Sequence, residues 1–245
     1  MISPFAAPTH DALPLHVLTE DALPDWLESQ PISTQVWVKA NGFKGALGQA
    51  LVLPDAAGQP RAALAGFGTA KTRARARFHL AAAAATLPEA TYRIASGLPD
   101  DSAEVEVLGW ALAAYRFDRY ASQKGLAARL VAPAGVDAAR LAAIAQGETL
   151  TRTLLNTPAA DMGPPDLEAA ARTLAQDHGA TVTVVAGDDL LTQNFPMIHA
   201  VGRAADRAPR LIDLHWGSAG PKLTLVGKGV CFDTGGLNLK PASSM

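Results

Sequence analysis

The sequence predicts an α/β protein, and three observations predict it. Short apolar runs alternate with longer alanine-rich stretches along the whole chain, the pattern of sheets covered by helices. Apolar residues make up 49% and charged residues 18% of the 245, enough to build a packed core and unlike a disordered chain. Proline, glycine and capping residues stand where the runs change character.

Taken in order, strands are expected at residues 35–38, 51–53, 62–65, 92–95, 129–132, 181–186, 211–214 and 223–226. Helices are expected at about 69–87, 103–122, 137–155 and 165–178. Asp101, three residues before Glu104, fits an N-terminal cap for the second helix. Pro165 fits a first-turn position of the fourth, whose Leu167, Ala170, Ala171 and Leu174 repeat at helical spacing. Gly179 then stands where a C-terminal cap belongs, which makes His178 a last-turn surface residue.

The segment Val131-Ala132-Pro133-Ala134-Gly135 closes a first α/β region, and the helix that follows leads to the Pro-broken Asn156-Thr157-Pro158. Residues 1–140 are therefore expected to form an N-terminal α/β domain. Residues 141–245 are expected to hold a connecting helix and part of a second α/β domain. No fixed-period repeat is present.

Charge and composition narrow the function. The formal net charge is -2 with the signs interspersed, so neither nucleic acid nor a membrane surface is expected as a partner. A single cysteine, Cys231, excludes an intramolecular disulfide framework and suits a reducing compartment. The opening MISPFAAPTHDALP has no basic stretch followed by an apolar one, and no run is long and apolar enough to span a bilayer. A cytoplasmic location is expected.

The informative segment is LTLVGKGVCFDTGGLNLKPASSM, residues 223–245. A strand leading into Gly227-Lys228-Gly229 would deliver Lys228 at its carboxyl end, where open α/β sheets place ligands. Asp233 follows, then Gly235-Gly236, which lets the backbone turn closely around whatever Asp233 binds. Lys240 stands before the helix-disfavouring Pro241. Out of context, Lys228 reads more readily as a solvated turn lysine than as a ligand.

Together these residues resemble a known family. Val226-Gly227-Lys228-Gly229-Val230, Phe232-Asp233-Thr234-Gly235-Gly236 and Leu239-Lys240-Pro241 are similar to the metal-binding and catalytic segment of the leucyl aminopeptidases, also called cytosol aminopeptidases, peptidase family M17. Gly109 with Tyr115-Arg116-Phe117-Asp118-Arg119-Tyr120 resembles the helix before that family's interdomain connection. Arg152, Asn156, Pro158-Ala159, Pro165 and Leu167 resemble the start of its peptidase domain. Ala200-Val201-Gly202-Arg203 and Pro209-Arg210-Leu211-Ile212 resemble the run approaching the site.

The resemblance implies a dinuclear metal-dependent aminopeptidase with two divalent ions, manganese or zinc, acting on peptides with a free N-terminus. Lys228 and Asp233 would bind metal, and Lys240 would stabilise the oxyanion. A carboxylate suits such ions, whereas a lysine ligand must be neutral to donate. Lys240 must instead keep its proton to supply positive charge. The family also implies a homohexamer. Its remaining ligands, a further carboxylate and an Asp-x-Glu-x-Arg cluster, fall beyond Met245, so residues 1–245 alone are expected to be inactive. A non-catalytic oligomerisation or regulatory protein is the alternative.

Other chemistries fit less well. A phosphate-binding loop fails because Lys222 occupies its first glycine position and Gly229 follows the lysine. Asp233-Thr234-Gly235 matches the aspartic-protease triplet, but that chemistry needs two such carboxylates. Cys231 has no evident histidine partner and reads as a small packed residue. His199, His215 and Trp216 read as packing or surface residues, and Asp213 as a helix-facing or interface carboxylate.

Overall fold

The computed structural model describes residues 4–231 and 243. It is an α/β structure whose described chain falls into two compact units, 1–152 and 153–245. The division lies inside one helix.

The first unit holds a five-stranded sheet of β1 (Leu13–Thr19), β2 (Ala50–Pro54), β3 (Pro60–Gly68), β4 (Ala90–Ser96) and β5 (Ala128–Val131), in the order β2-β3-β1-β4-β5. β1 runs parallel to β3 and β4, β4 parallel to β5, and only β2 pairs antiparallel, with β3. Alternation along the strands sorts side chains to two faces. Leu15, Val17, Ala63, Tyr92 and Leu130 point into one core with residues of α4 (His79–Thr86), α5 (Asp100–Ala113) and α6 (Ala138–Asn156). Leu18, Leu64 and Leu53 share a second core with Leu23 of α1 (Leu23–Glu28) and Val38 of α2 (Ile32–Ala40).

Most expected strands and helices appear, with several corrections. Residues 35–38 are helical: α2 starts after Pro31, buries Thr34 and Val38 one turn apart, and ends at Asn41 before Gly42 at φ +64°. The β-prone Val36-Trp37-Val38 is overridden by this packing and by the helix-terminal signals on either side. The central strand β1 has no counterpart in the sequence expectation, because Pro14 interrupts its apolar run; a proline near a strand start forfeits little pairing.

The long helix expected at 69–87 is broken. Thr69 caps the four-residue α3 (Ala70–Arg73) through the Thr72 backbone N–H, and Arg73 turns back to donate to the Phe67 carbonyl at 2.8 Å and to cover the Phe67 ring. Phe78 then adopts a left-handed φ of 63° before α4 begins. This strained residue lies against Gly109 of α5, where an added Cβ would meet Phe78 Cβ at 2.5 Å and Cα at 2.8 Å. Gly109→Ala is accordingly expected to lower the unit's stability by about 1–3 kcal/mol, the usual cost of overpacking, measurable by chemical denaturation.

α5 ends at Ala113 rather than near residue 122. Arg116 donates to the last helical carbonyl, Ala113 O, at 3.1 Å and to the carbonyl of Lys124 beyond the helix at 2.8 Å. At the other end, Pro99 occupies the cap position and Asp100 and Asp101 lie in the first turn, where their charges favour the positive helix end. Asp101 is therefore not the cap, and Glu104 instead pairs with Arg140 at 3.0 Å.

The second unit contains α7 (Pro164–His178), β6 (Thr181–Ala186), α8 (Asp189–Thr192), α9 (Pro196–Gly202) and β7 (Arg210–His215), with β6 and β7 paired antiparallel from Thr181↔His215 to Ala186↔Arg210. The expected first-turn Pro165 and the Gly179 cap, at φ 66°, are both present in α7, which begins one residue earlier at Pro164. Residues 223–226 are not a strand: they are unpaired, and Leu225 and Val226 are 86% and 93% exposed. Apolar alternation makes a strand only when another strand pairs with its backbone, and among the described strands none pairs with these residues. Among the described residues no helix is long and apolar enough to cross a membrane.

Candidate metal-binding segment

The segment carrying Lys228 runs from β7 as irregular backbone over residues 221–231. Gly229 brings it close to α7: a Cβ there would lie 2.6 Å from Leu167 Cδ2, so the glycine backbone lies against that side chain. Gly227, by contrast, has no atom within 4 Å of an added Cβ. Lys228 stands between them, exposed, with open space on one side. The two glycines therefore do different work, one permitting close approach and the other leaving the lysine uncovered.

α7 is itself held by ionic side chains. Asp166 accepts from the Gly163 backbone N–H at 2.9 Å, closing the helix N-terminus, and from Arg207 at 3.0 Å. Glu168 accepts from Arg172 at 2.7 Å and also from Arg210. These hydrogen bonds, Arg172 first, hold its carboxyl below the usual range. Gly202 admits Pro209, whose Cβ would be 2.4 Å from an added side chain. Thus Gly202, Pro209 and Arg210 serve packing and anchorage of β7 and α7.

Cys231 is half-buried near this network, and burial followed by the Asp166 charge pushes its thiol up. A thiol so shifted is a poor nucleophile, in keeping with a packed residue. His199 meets Asp188 at 3.1 Å and His215 meets Asp213 at 3.0 Å, both exposed pairs away from Lys228 in sequence. Trp216 donates to the His178 carbonyl at 3.0 Å.

Of the proposed site residues, Lys228 is described, whereas Asp233 and Lys240 lie outside the described residues. Among the described residues, no group of three or more His, Cys, Asp or Glu side chains could hold a metal ion. The upstream motif residues have structural roles in the first unit. Arg152 pairs with Glu148 at 2.8 Å and lies over the Tyr115 ring at 5.6 Å, while Arg116 closes α5. Sequence reasoning placed these residues at a connection without identifying the bonds that make it.

Comparison with known proteins supplies the decisive observation. Residues 149–245 match the catalytic domain of the cytosol aminopeptidase family, and residues 13–133 match the M17 aminopeptidase N-terminal domain. The chain belongs to the cytosol aminopeptidase family. A probable cytosol aminopeptidase 1 of Shewanella oneidensis is 32% identical over 237 residues, 87% of this chain and 47% of the relative. The crystal structure of the cytosol aminopeptidase of Coxiella burnetii superposes with a TM-score of 0.79 at 32% identity, covering 89% of this chain and 47% of that one. The bottromycin maturation enzyme BotP in complex with Mn gives 0.62 at 26% identity, covering 84% and 45%. The chain thus spans about half the length of these M17 relatives.

Proposed function

We propose that this chain is part of a metal-dependent aminopeptidase that removes N-terminal residues from peptides, with Lys228 and Asp233 as metal ligands and Lys240 as the oxyanion-stabilising group. The reading is carried by the catalytic-domain match, which runs through residues 228–240. The donor chemistry supports it. An aspartate oxygen and a neutral lysine amine are acceptable donors to manganese or zinc, and the similarity to a manganese-bound relative favours manganese. Bound there, two such ions would supply Lewis acidity and an activated water.

The roles of this chain's own residues divide by protonation. Lys228 must surrender its proton to donate, and its exposed position beside Gly227 leaves the approach open. Lys240 must retain its proton to offset negative charge on the scissile carbonyl oxygen. Gly229 lets the backbone beside Lys228 lie against the Leu167 side chain of α7. We further read the substrates as peptides with a free N-terminus and the location as cytoplasmic, as the name of the relatives suggests, and the assembly as a homohexamer, as the family resemblance implies. Residues 1–140 are read as the N-terminal domain and residues 141–245 as a connecting helix followed by part of the catalytic domain.

Two ligands are too few for a dinuclear site. A polypeptide of residues 1–245 is therefore expected to release no amino acid from leucine p-nitroanilide. In a chain that joins these residues to the rest of an M17 catalytic domain, manganese should support turnover and a chelator should abolish it. There, Lys228→Ala and Asp233→Ala should each remove manganese from the site by calorimetric titration, while Lys240→Ala should spare metal binding and lower kcat. Unchanged manganese stoichiometry in the first two variants would sink the assignment. Association without turnover or metal uptake in that longer chain would favour the non-catalytic assembly protein.

A further inference from the structure

A cleft of about 410 Å³ opens in the first unit between α2, the end of β2 and the start of β3. That volume lies within the range of small-molecule sites. Trp37 and Leu53 form apolar wall, and Asp55 and Arg61 bring opposite charges to the same cavity. Nothing in the aminopeptidase reading uses them.

Each of these groups is held in place by a contact elsewhere. Trp37 donates its indole N–H to the Val52 carbonyl at 3.0 Å, which fixes the ring over the edge of β2. The β2–β3 pairing shifts register between Leu53 and Pro54. A shift of this kind re-aims side chains, and Arg61 reaches α2, where it donates to Oγ1 of the buried Thr34 at 2.8 Å. Asp55 accepts two turn N–H groups, from Ala57 and Gln59, on its Oδ1 at 2.8 Å each. That leaves Oδ2 for the cleft. Among the described residues neither Asp55 nor Arg61 makes an ion pair, with each other or with a third group.

A preorganised cation and anion that line one cleft without pairing, beside an aromatic wall, match a ligand that carries both charges and an apolar group. We propose that this cleft binds a free α-amino acid with an apolar side chain. The α-carboxylate takes the guanidinium fork of Arg61, a geometry suited to carboxylates. The ammonium donates to Asp55 Oδ2, and the side chain lies on Trp37 and Leu53. Such a ligand is of the product class of the reaction proposed above, so its physiological sense as product sensing rests on that reading. The binding itself does not.

Leucine and phenylalanine titrated into the protein, followed by calorimetry and by the Trp37 indole N–H resonance, test the proposal without reference to turnover. Saturable binding is expected. N-acetyl-leucine, which lacks the ammonium, and leucinamide, which lacks the carboxylate, should each bind at least about tenfold more weakly, the usual worth of one charged hydrogen bond. Asp55→Asn keeps an oxygen for the turn and removes the charge, and Arg61→Gln removes the fork; each should weaken leucine by a similar factor. No saturable leucine binding, equal affinity for N-acetyl-leucine, or leucine affinity unchanged in Asp55→Asn would overturn the proposal. If Arg61→Gln fails to fold, the capped ligands and Asp55→Asn decide alone.

Discussion

Trp110→Ala is expected to destabilise the first unit by about 3–5 kcal/mol, the range for truncating a buried tryptophan. Trp110 is 1% exposed, lies 6.3 Å centroid to centroid from Tyr92, and donates its indole N–H to the Ala128 carbonyl at 3.3 Å. It therefore joins α5 to β4 through ring contact and to β5 through a hydrogen bond. Truncation leaves a cavity between helix and sheet together with a buried carbonyl lacking its donor, and the sheet cannot close on the space without breaking the β4–β5 pairing from Ala90 to Arg93. Urea denaturation of the variant should show a lower midpoint with an unchanged slope. Phe at the same position should recover most of the loss, because it refills the volume and forfeits only the hydrogen bond.

How much of this architecture is legible in the sequence depends on how locally it is determined. α7 is almost fully written in its own residues: prolines at its start, Leu167 to Leu174 at helical spacing, and Gly179 at its end. β6 likewise reads directly from Thr181 to Ala186. The failures share a cause in tertiary contact. α2 contains a β-prone triplet, and what makes it helical is the burial of Thr34 and Val38 against the sheet. β1 contains a proline, and what makes it the central strand is two parallel neighbours supplied by distant residues. The break between α3 and α4 depends on Gly109, some thirty residues away in sequence, which is invisible to any local pattern.

The functional segment divides in the same way. The order of Lys228, Asp233 and Lys240 is enough to carry a family resemblance, and residues 149–245 match the catalytic domain of that same family. The use of Gly229 as a seat for Leu167 depends on a contact across the fold and could not be read from Gly-Lys-Gly alone. The opposed charges of Asp55 and Arg61 are also silent in sequence. Asp55 stands in the turn after β2 and Arg61 on β3, and only the register shift at Leu53 and Pro54 and the bond to Thr34 place them on one cleft.

The α3–α4 break also sets the second large effect, which depends on pH. Glu106 of α5 is 2% exposed and accepts the Leu80 backbone N–H at 2.8 Å. α4 has no cap of its own, since Phe78 occupies the position with a side chain that cannot accept a hydrogen bond. Glu106 thus caps a neighbouring helix from within the core. Burial pushes its carboxyl above the ordinary value of 4.5, against the opposing effects of the Leu80 N–H, His79 and Arg73. In the window between the unfolded value and this raised one, the folded chain holds a proton that the unfolded chain has lost. Stability therefore falls as pH rises through that window. Glu106→Gln keeps an oxygen for Leu80 and has no charge to desolvate, so it is expected to flatten this fall and to match or exceed the parent at neutral pH. Glu106→Ala leaves the buried N–H without a partner and is expected to cost about 1–3 kcal/mol relative to the glutamine variant at every pH. Denaturation midpoints of the three proteins between pH 4 and 8, a range on the order of the carboxylate-to-neutral span, decide the matter: parallel profiles for parent and glutamine variant would show that Glu106 titrates alike in the folded and unfolded chain.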